Sequence, residues 1–228
     1  MNSMKSFLSI MQSVDSFFPI GAFTLSNGLE DYVVRERIQT SEDLQAYLKG
    51  FLQVFPYNDL GVLSLAYRNY QDKEYLLLLD GYACAMKSAK EVRIGSSRMC
   101  SRYIKAREAM LDCGGELAWY KQQMQCGNVI GSHPIALGIY GAAAGVEQTC
   151  LLTMYGYSVL SAIVNNAVKL VPLRQLDGQR ILYESLEMLE DLAKRAVKIE
   201  LQDLGVSGAA YEIHCMNHEQ LYARQYMS

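Results

Sequence analysis

The chain has 228 residues, half of them hydrophobic and a fifth charged, with a formal net charge of -3. That length supports one large domain with its own core, and the composition is that of a globular protein. The acidic balance argues against a nucleic-acid partner, which calls for a basic footprint.

Helical periodicity dominates from the start. Phe7, Ile10, Met11 and Val14 mark one apolar face of a short helix, and a break follows over residues 15–23. In residues 40–55, Leu44, Tyr47, Leu48, Phe51, Leu52 and Phe55 follow the i, i+3, i+4, i+7, i+8, i+11 pattern of an amphipathic helix. Thr40 is placed to cap it with Asp43 as its capping-box partner, and Pro56 ends it. Residues 58–70 and 74–89 read as two further helices. Residues 96–113 form another, closed by Gly114 and Gly115, and residues 116–126 continue in the same style.

Residues 134–146 and 148–171 are helices rich in small or apolar residues. Gly138, Gly141 and Gly145 remove side-chain bulk from the first, which suits close helix packing. The glycine run has no Gly-Lys-Ser/Thr after it, so a phosphate loop is rejected. A membrane span is also rejected, because Ser132, His133 and Pro134, then Glu147 and Gln148, then Asn165, Asn166 and Lys169 interrupt the apolar stretch. Residues 179–204 read as one long amphipathic helix, with Leu182, Leu186, Leu189, Ala193 and Ala196 on one face. Its acids come early and its bases late, as the helix dipole favours. The tail of residues 205–228 loses this periodicity and is expected to be partly mobile. No strand pattern of comparable length competes. The expectation is an all-α, single-domain bundle over residues 1–228, of about ten helices with small-residue helices in its core.

Chemistry-bearing motifs are sparse. The six cysteines include no C-x-x-C pair, no secretion leader is evident, and reduced thiols in a cytoplasmic protein are the simplest reading. His214 and His218 stand at i, i+4, a metal-ligand spacing, with Cys215 beside them. Two ligands make a weak site, so neither a metal centre nor a cofactor is expected, and a metallochaperone using His214 and His218 is kept as the alternative. Residues 87–107 carry Lys87, Lys90, Arg93, Arg98, Arg102, Lys105 and Arg107 against only Glu91, and a basic face of this kind docks acidic partners or simply faces solvent. Three histidines and no nucleophile elbow give no support to an enzyme.

Residues 15–30 add a different kind of information. Asp15, Phe18, Pro19, Gly21, Phe23, Ser26, Gly28, Leu29 and Glu30 fit the pattern D-x-x-F-P-x-G-x-F/Y-x-x-S-x-G-L-E. That pattern resembles the N-terminal signature of the UreF family of urease accessory proteins. Here Pro19 and Gly21 are expected to make a turn, Phe17, Phe18 and Phe23 to be its apolar anchors, and Ser26 to cap a helix from near Gly28. Further resemblances are Glu91, Arg93 and Ser97 to an E-x-R helix, residues 132–138 to the entry of a small-residue helix, and residues 169–179 to R-x-x-P-L-G-Q-x-x-G-Q. In the last, Lys169 stands for Arg, and Arg174 for a Gly whose loss is expected to alter the turn. His218, Glu219, Arg224 and Ser228 resemble the family's terminal motif, with Gln225 and Tyr226 departing from it.

The resemblance implies an all-α, dimeric, non-enzymatic assembly factor. It would bridge the urease accessory D/H protein and the GTPase UreG while nickel is loaded into apo-urease. On that basis Glu91, Arg93, Lys169, Gln175 and Gln179 are the expected GTPase side, and His218, Glu219, Arg224 and Ser228 the expected D/H side.

Overall fold

Two helices with apolar residues on every side must lie where no face meets water, and they organise the molecule. The computed structural model describes residues 3–110 and 112–227. Among the described residues there are twelve α-helices and no strand. They are α1 (Ser3–Val14), α2 (Leu29–Val34), α3 (Ser41–Val54), α4 (Asp59–Arg68), α5 (Lys73–Ala85), α6 (Lys90–Ala109), α7 (Gly115–Gln125), α8 (His133–Ala143), α9 (Gln148–Leu170), α10 (Gln175–Glu184), α11 (Leu186–Ala196) and α12 (Ala209–Asn217). Seven consecutive residues of α4, Leu60 to Ala66, and nine of α8, His133 to Gly141, are buried. These two helices pack on each other at the centre; α6 and α7 flank α8, while α9 and α11 cover α4.

Small residues permit that contact. A Cβ on Gly138 would stand 2.7 Å from the Leu63 carbonyl oxygen and 2.9 Å from the Ala66 Cβ, closer than atoms approach. The loop entering α8 is fixed by a buried acid. Asp80 accepts from the Tyr120 hydroxyl at 2.5 Å and from the Ile130 and Gly131 amides at 2.9 and 3.2 Å, and the same hydroxyl accepts from the Ser132 amide. Pro134 then stands in the first turn of α8, where a missing N–H costs nothing.

The cap expected at Thr40 is present in both halves. Asp43 N–H donates to the Thr40 hydroxyl at 3.2 Å, and the Asp43 carboxylate accepts from the Thr40 amide at 3.0 Å. By contrast, the helix expected over residues 179–204 is two helices. Ser185 turns its buried hydroxyl onto the Ile181 carbonyl at 2.8 Å and separates α10 from α11. A serine hydroxyl bonded to the preceding turn competes with the helix ladder and bends the chain. The long basic helix also begins earlier than residue 96, at Lys90.

α9 is, among the described residues, the helix long and apolar enough to cross a membrane. It packs against α11, α10, α4 and α1, and Leu151, Leu152, Leu160, Ile163 and Val164 lie in the core.

Candidate partner-binding surfaces

The signature loop begins with an Asx turn, in which the Asp15 carboxylate accepts the Phe17 amide at 2.7 Å. Phe18 is buried 5.7 Å from the Tyr103 ring, with the Arg107 guanidinium over it. Arg107 is itself buried and ties α6 to α1 by donating to the Ser9 carbonyl at 2.9 Å. The other two expected anchors are not anchors. Phe17 is 93% exposed and Phe23 57% exposed. Consecutive residues at a turn point apart, so the loop buries one phenylalanine and presents two. The helix that follows has Gly28 at its N-cap position, with the Ser26 hydroxyl 3.5 Å from the Glu30 amide.

Gly28 is where the signature meets the far end of the chain. Its φ is +81°, and a Cβ there would lie 2.8 Å from the Cys215 backbone nitrogen in α12. Glycine is thus demanded both by conformation and by contact. Two and three residues on, Glu30 and Asp31 are buried acids, and each is met by the tail. Glu30 accepts from the Gln225 amide at 2.6 Å, from the Tyr226 amide at 3.1 Å, and shares a 2.9 Å bond with His218 Nε2. His218 Nδ1 lies 2.6 Å from Glu91, which also accepts from Arg224 at 2.6 Å. Asp31 holds Arg35 at 2.9 Å and His214 Nδ1 at 2.6 Å, while the His214 ring stacks on Tyr32. Met227 N–H donates to the Thr24 carbonyl at 2.8 Å. The tail therefore crosses α2 and α6 as a docked strap, held by carboxylates belonging to the signature and to α6.

This arrangement regroups the expected site residues. Glu91 comes together with His218 and Arg224. Arg93 donates to the Lys87 and Ser88 carbonyls at 2.6 and 2.7 Å and so closes the end of α5. Glu219 is exposed, and Ser228 lies outside the described residues. Glu30 and Asp31 were not singled out by spacing as acceptors. The signal was present, since two histidines four apart in the tail face two adjacent acids, the last of the signature and the one after it.

The same contacts bear on metal binding. Each ring nitrogen of His218 is taken by a carboxylate on the opposite side of the ring, so Glu30 and Glu91 converge on the imidazole and not on a common point. Burial pushes the Cys215 thiol up to about 12, which disfavours the thiolate a metal requires. Among the described residues, no three histidines, cysteines or acids are gathered as a metal would need. All six cysteines are unpaired.

A second surface lies where α9 passes into α10. Lys169, Gln175 and Gln179 are all exposed there. The same segment carries two large apolar residues that the expected pattern missed, Leu176 at 79% and Tyr183 at 76% exposure. Their seven-residue spacing puts them on one helical face with Gln179 and Arg180. Arg174 has φ −76° and ψ 150°, a conformation open to any residue, so the turn does not depend on glycine. Its guanidinium is pinned to Asp177 by two bonds of 3.0 Å, and this pairing holds the Asp177 carboxyl below its ordinary range.

Comparison with known proteins adds an independent line. Residues 38–186 match the family model described as UreF. The chain is 33% identical over 223 residues to a protein named urease accessory protein UreF from Actinobacillus pleuropneumoniae, covering 96% of this chain and 98% of the relative. The corresponding proteins of serotype 5b (strain L20) and serotype 3 (strain JL03) of that species match to the same extent.

Proposed function

The chain belongs to the UreF family of urease accessory proteins, and from that premise we propose that it is a non-catalytic, cytoplasmic assembly factor for the urease nickel centre. It bridges the D/H accessory protein and the GTPase UreG on apo-urease, and it acts as a homodimer. Nickel and GTP are handled by its neighbours.

The observation that carries this reading is the near full-length likeness, together with the union of the chain's two terminal motifs in one docked structure. The strap holds Arg224 against Glu91 and leaves Glu219 exposed, and this is the side assigned to the D/H protein. The exposed face of Lys169, Gln175, Leu176, Gln179 and Tyr183 is assigned to the GTPase. Its pairing of apolar anchors with polar neighbours is the composition of a docking patch.

Each assignment is tested by co-purification of this chain with the D/H protein, the GTPase and apo-urease. Lys169→Ala with Gln175→Ala is expected to lower recovery of the GTPase while leaving the D/H protein bound. Deletion of residues 218–228 is expected to lose the D/H protein. Unchanged recovery in either case refutes the corresponding assignment.

A further inference from the structure

The exposed face of α6 carries positive charge that the protein itself does not neutralise. Arg98, Arg102 and Lys105 follow i, i+4, i+7 and are all exposed. Arg102 donates to the Ile20 carbonyl at 3.2 Å, and none of the three has a carboxylate within 4 Å among the described residues. The acids nearest in sequence are drawn elsewhere. Glu91 is held by His218 and Arg224, Glu108 by Lys121 at 2.5 Å, and Asp112 by Tyr140 and Arg107. A face that serves only solubility mixes its charges, as α11 does where Glu190 meets Lys194 at 2.7 Å. On α6 the compensating acids are present and are spent on other contacts.

The strip is also bounded and walled. Exposed Ile94 lies one turn before Arg98, and exposed Met110 follows Lys105. The Arg98 end opens into a groove between α6 and the docked strap, with Leu25, Met99 and Met227 in its lining. From Ile94 to Ala109 the helix runs about 22 Å. The geometry points to a binding surface for an acidic polypeptide segment of a partner protein, with carboxylates along Arg98, Arg102 and Lys105 and an apolar side chain in the groove. Charge complementarity selects that occupant. Nucleic acid fits less well, because a phosphate track needs a longer basic run, whereas this strip holds three cations on a chain of net charge -3. That net charge repels an acidic peptide overall, so any binding must be local to the strip.

The test uses the purified full-length chain and fluorescence anisotropy. The probe is a labelled 14-residue peptide with glutamates at i, i+4 and i+7 and leucines between them. Expected is binding that weakens as salt is raised and that falls about tenfold in the Arg98→Glu/Lys105→Glu variant. Among the described residues those two side chains have no polar partner, so the variant is expected to keep its fold, checked by circular dichroism. Lys169→Glu, on the other surface, is expected to leave binding unchanged. Equal binding by the double variant overturns the proposal. So does tighter binding of a single-stranded oligothymidylate of equal charge through the same residues, or of anionic vesicles. None of these readouts involves urease, so failure here is separable from failure of the assembly role.

Discussion

Glu30 is the side chain on which the strap depends most. It is buried and accepts three bonds from the tail, from His218, Gln225 and Tyr226. A hydrogen bond to a charged group contributes about 1.5–3 kcal/mol net, and removing one partner of a buried charged pair costs about 3–5 kcal/mol. The three bonds do not add, because the loss is capped once the strap has left the surface. Glu30→Ala is therefore expected to cost about 3–5 kcal/mol of local stability, raising amide exchange in residues 209–227 by about two to four orders of magnitude. Amides of α8 supply the internal reference, and Glu30→Gln, which keeps an acceptor without the charge, is expected to fall between. Hydrogen-exchange mass spectrometry reads both regions in one experiment. Tail exchange within threefold of wild type, or an equal rise in α8, would refute the strap as a local unit held by this carboxylate.

Gly138→Ala places a methyl against the Leu63 carbonyl and is expected to cost about 1–3 kcal/mol in urea denaturation; a neutral result contradicts the close α4–α8 contact. Burial depresses the His133 pKa from its ordinary 6.5 to about 4, so the unfolded chain binds a proton where the folded one does not. Stability is then full above pH 6.5 and is lost as pH falls toward 4, by about 3 kcal/mol, and His133→Leu is expected to flatten that stretch of the stability–pH curve. Leu176→Asp with Tyr183→Asp changes exposed side chains, so thermal stability is expected to shift by no more than about 0.5 kcal/mol while GTPase recovery falls.

Much of the helical framework was legible because local rules and tertiary demands agree. Thr40 and Asp43 form their cap wherever a helix begins, and Gly138 and Gly141 announce close packing before any partner helix is known. The core place of α8 was read from its small residues, whereas that of its partner α4 shows only in the burial of Leu60 to Ala66. The errors lie where a tertiary contact decides. Ser185 breaks a periodic run because its hydroxyl is buried and turns onto Ile181. Phe17, Phe18 and Phe23 look alike as letters, yet one ring fits beside Tyr103 and the other two do not. The docked strap was the least legible feature. Its periodicity is short, and the bond between Glu30 and His218 spans 188 positions. Leu176 and Tyr183 escaped notice for a related reason, since an exposed apolar residue is indistinguishable from a core one until burial is known.

The most direct test of the assembly role is activation of apo-urease in cells that carry the structural subunits, the D/H protein, the GTPase and nickel, with and without this chain. Urease activity is predicted to appear with the wild-type chain and to be lost with a variant lacking residues 218–228. Equal activity with and without the chain would contradict the account.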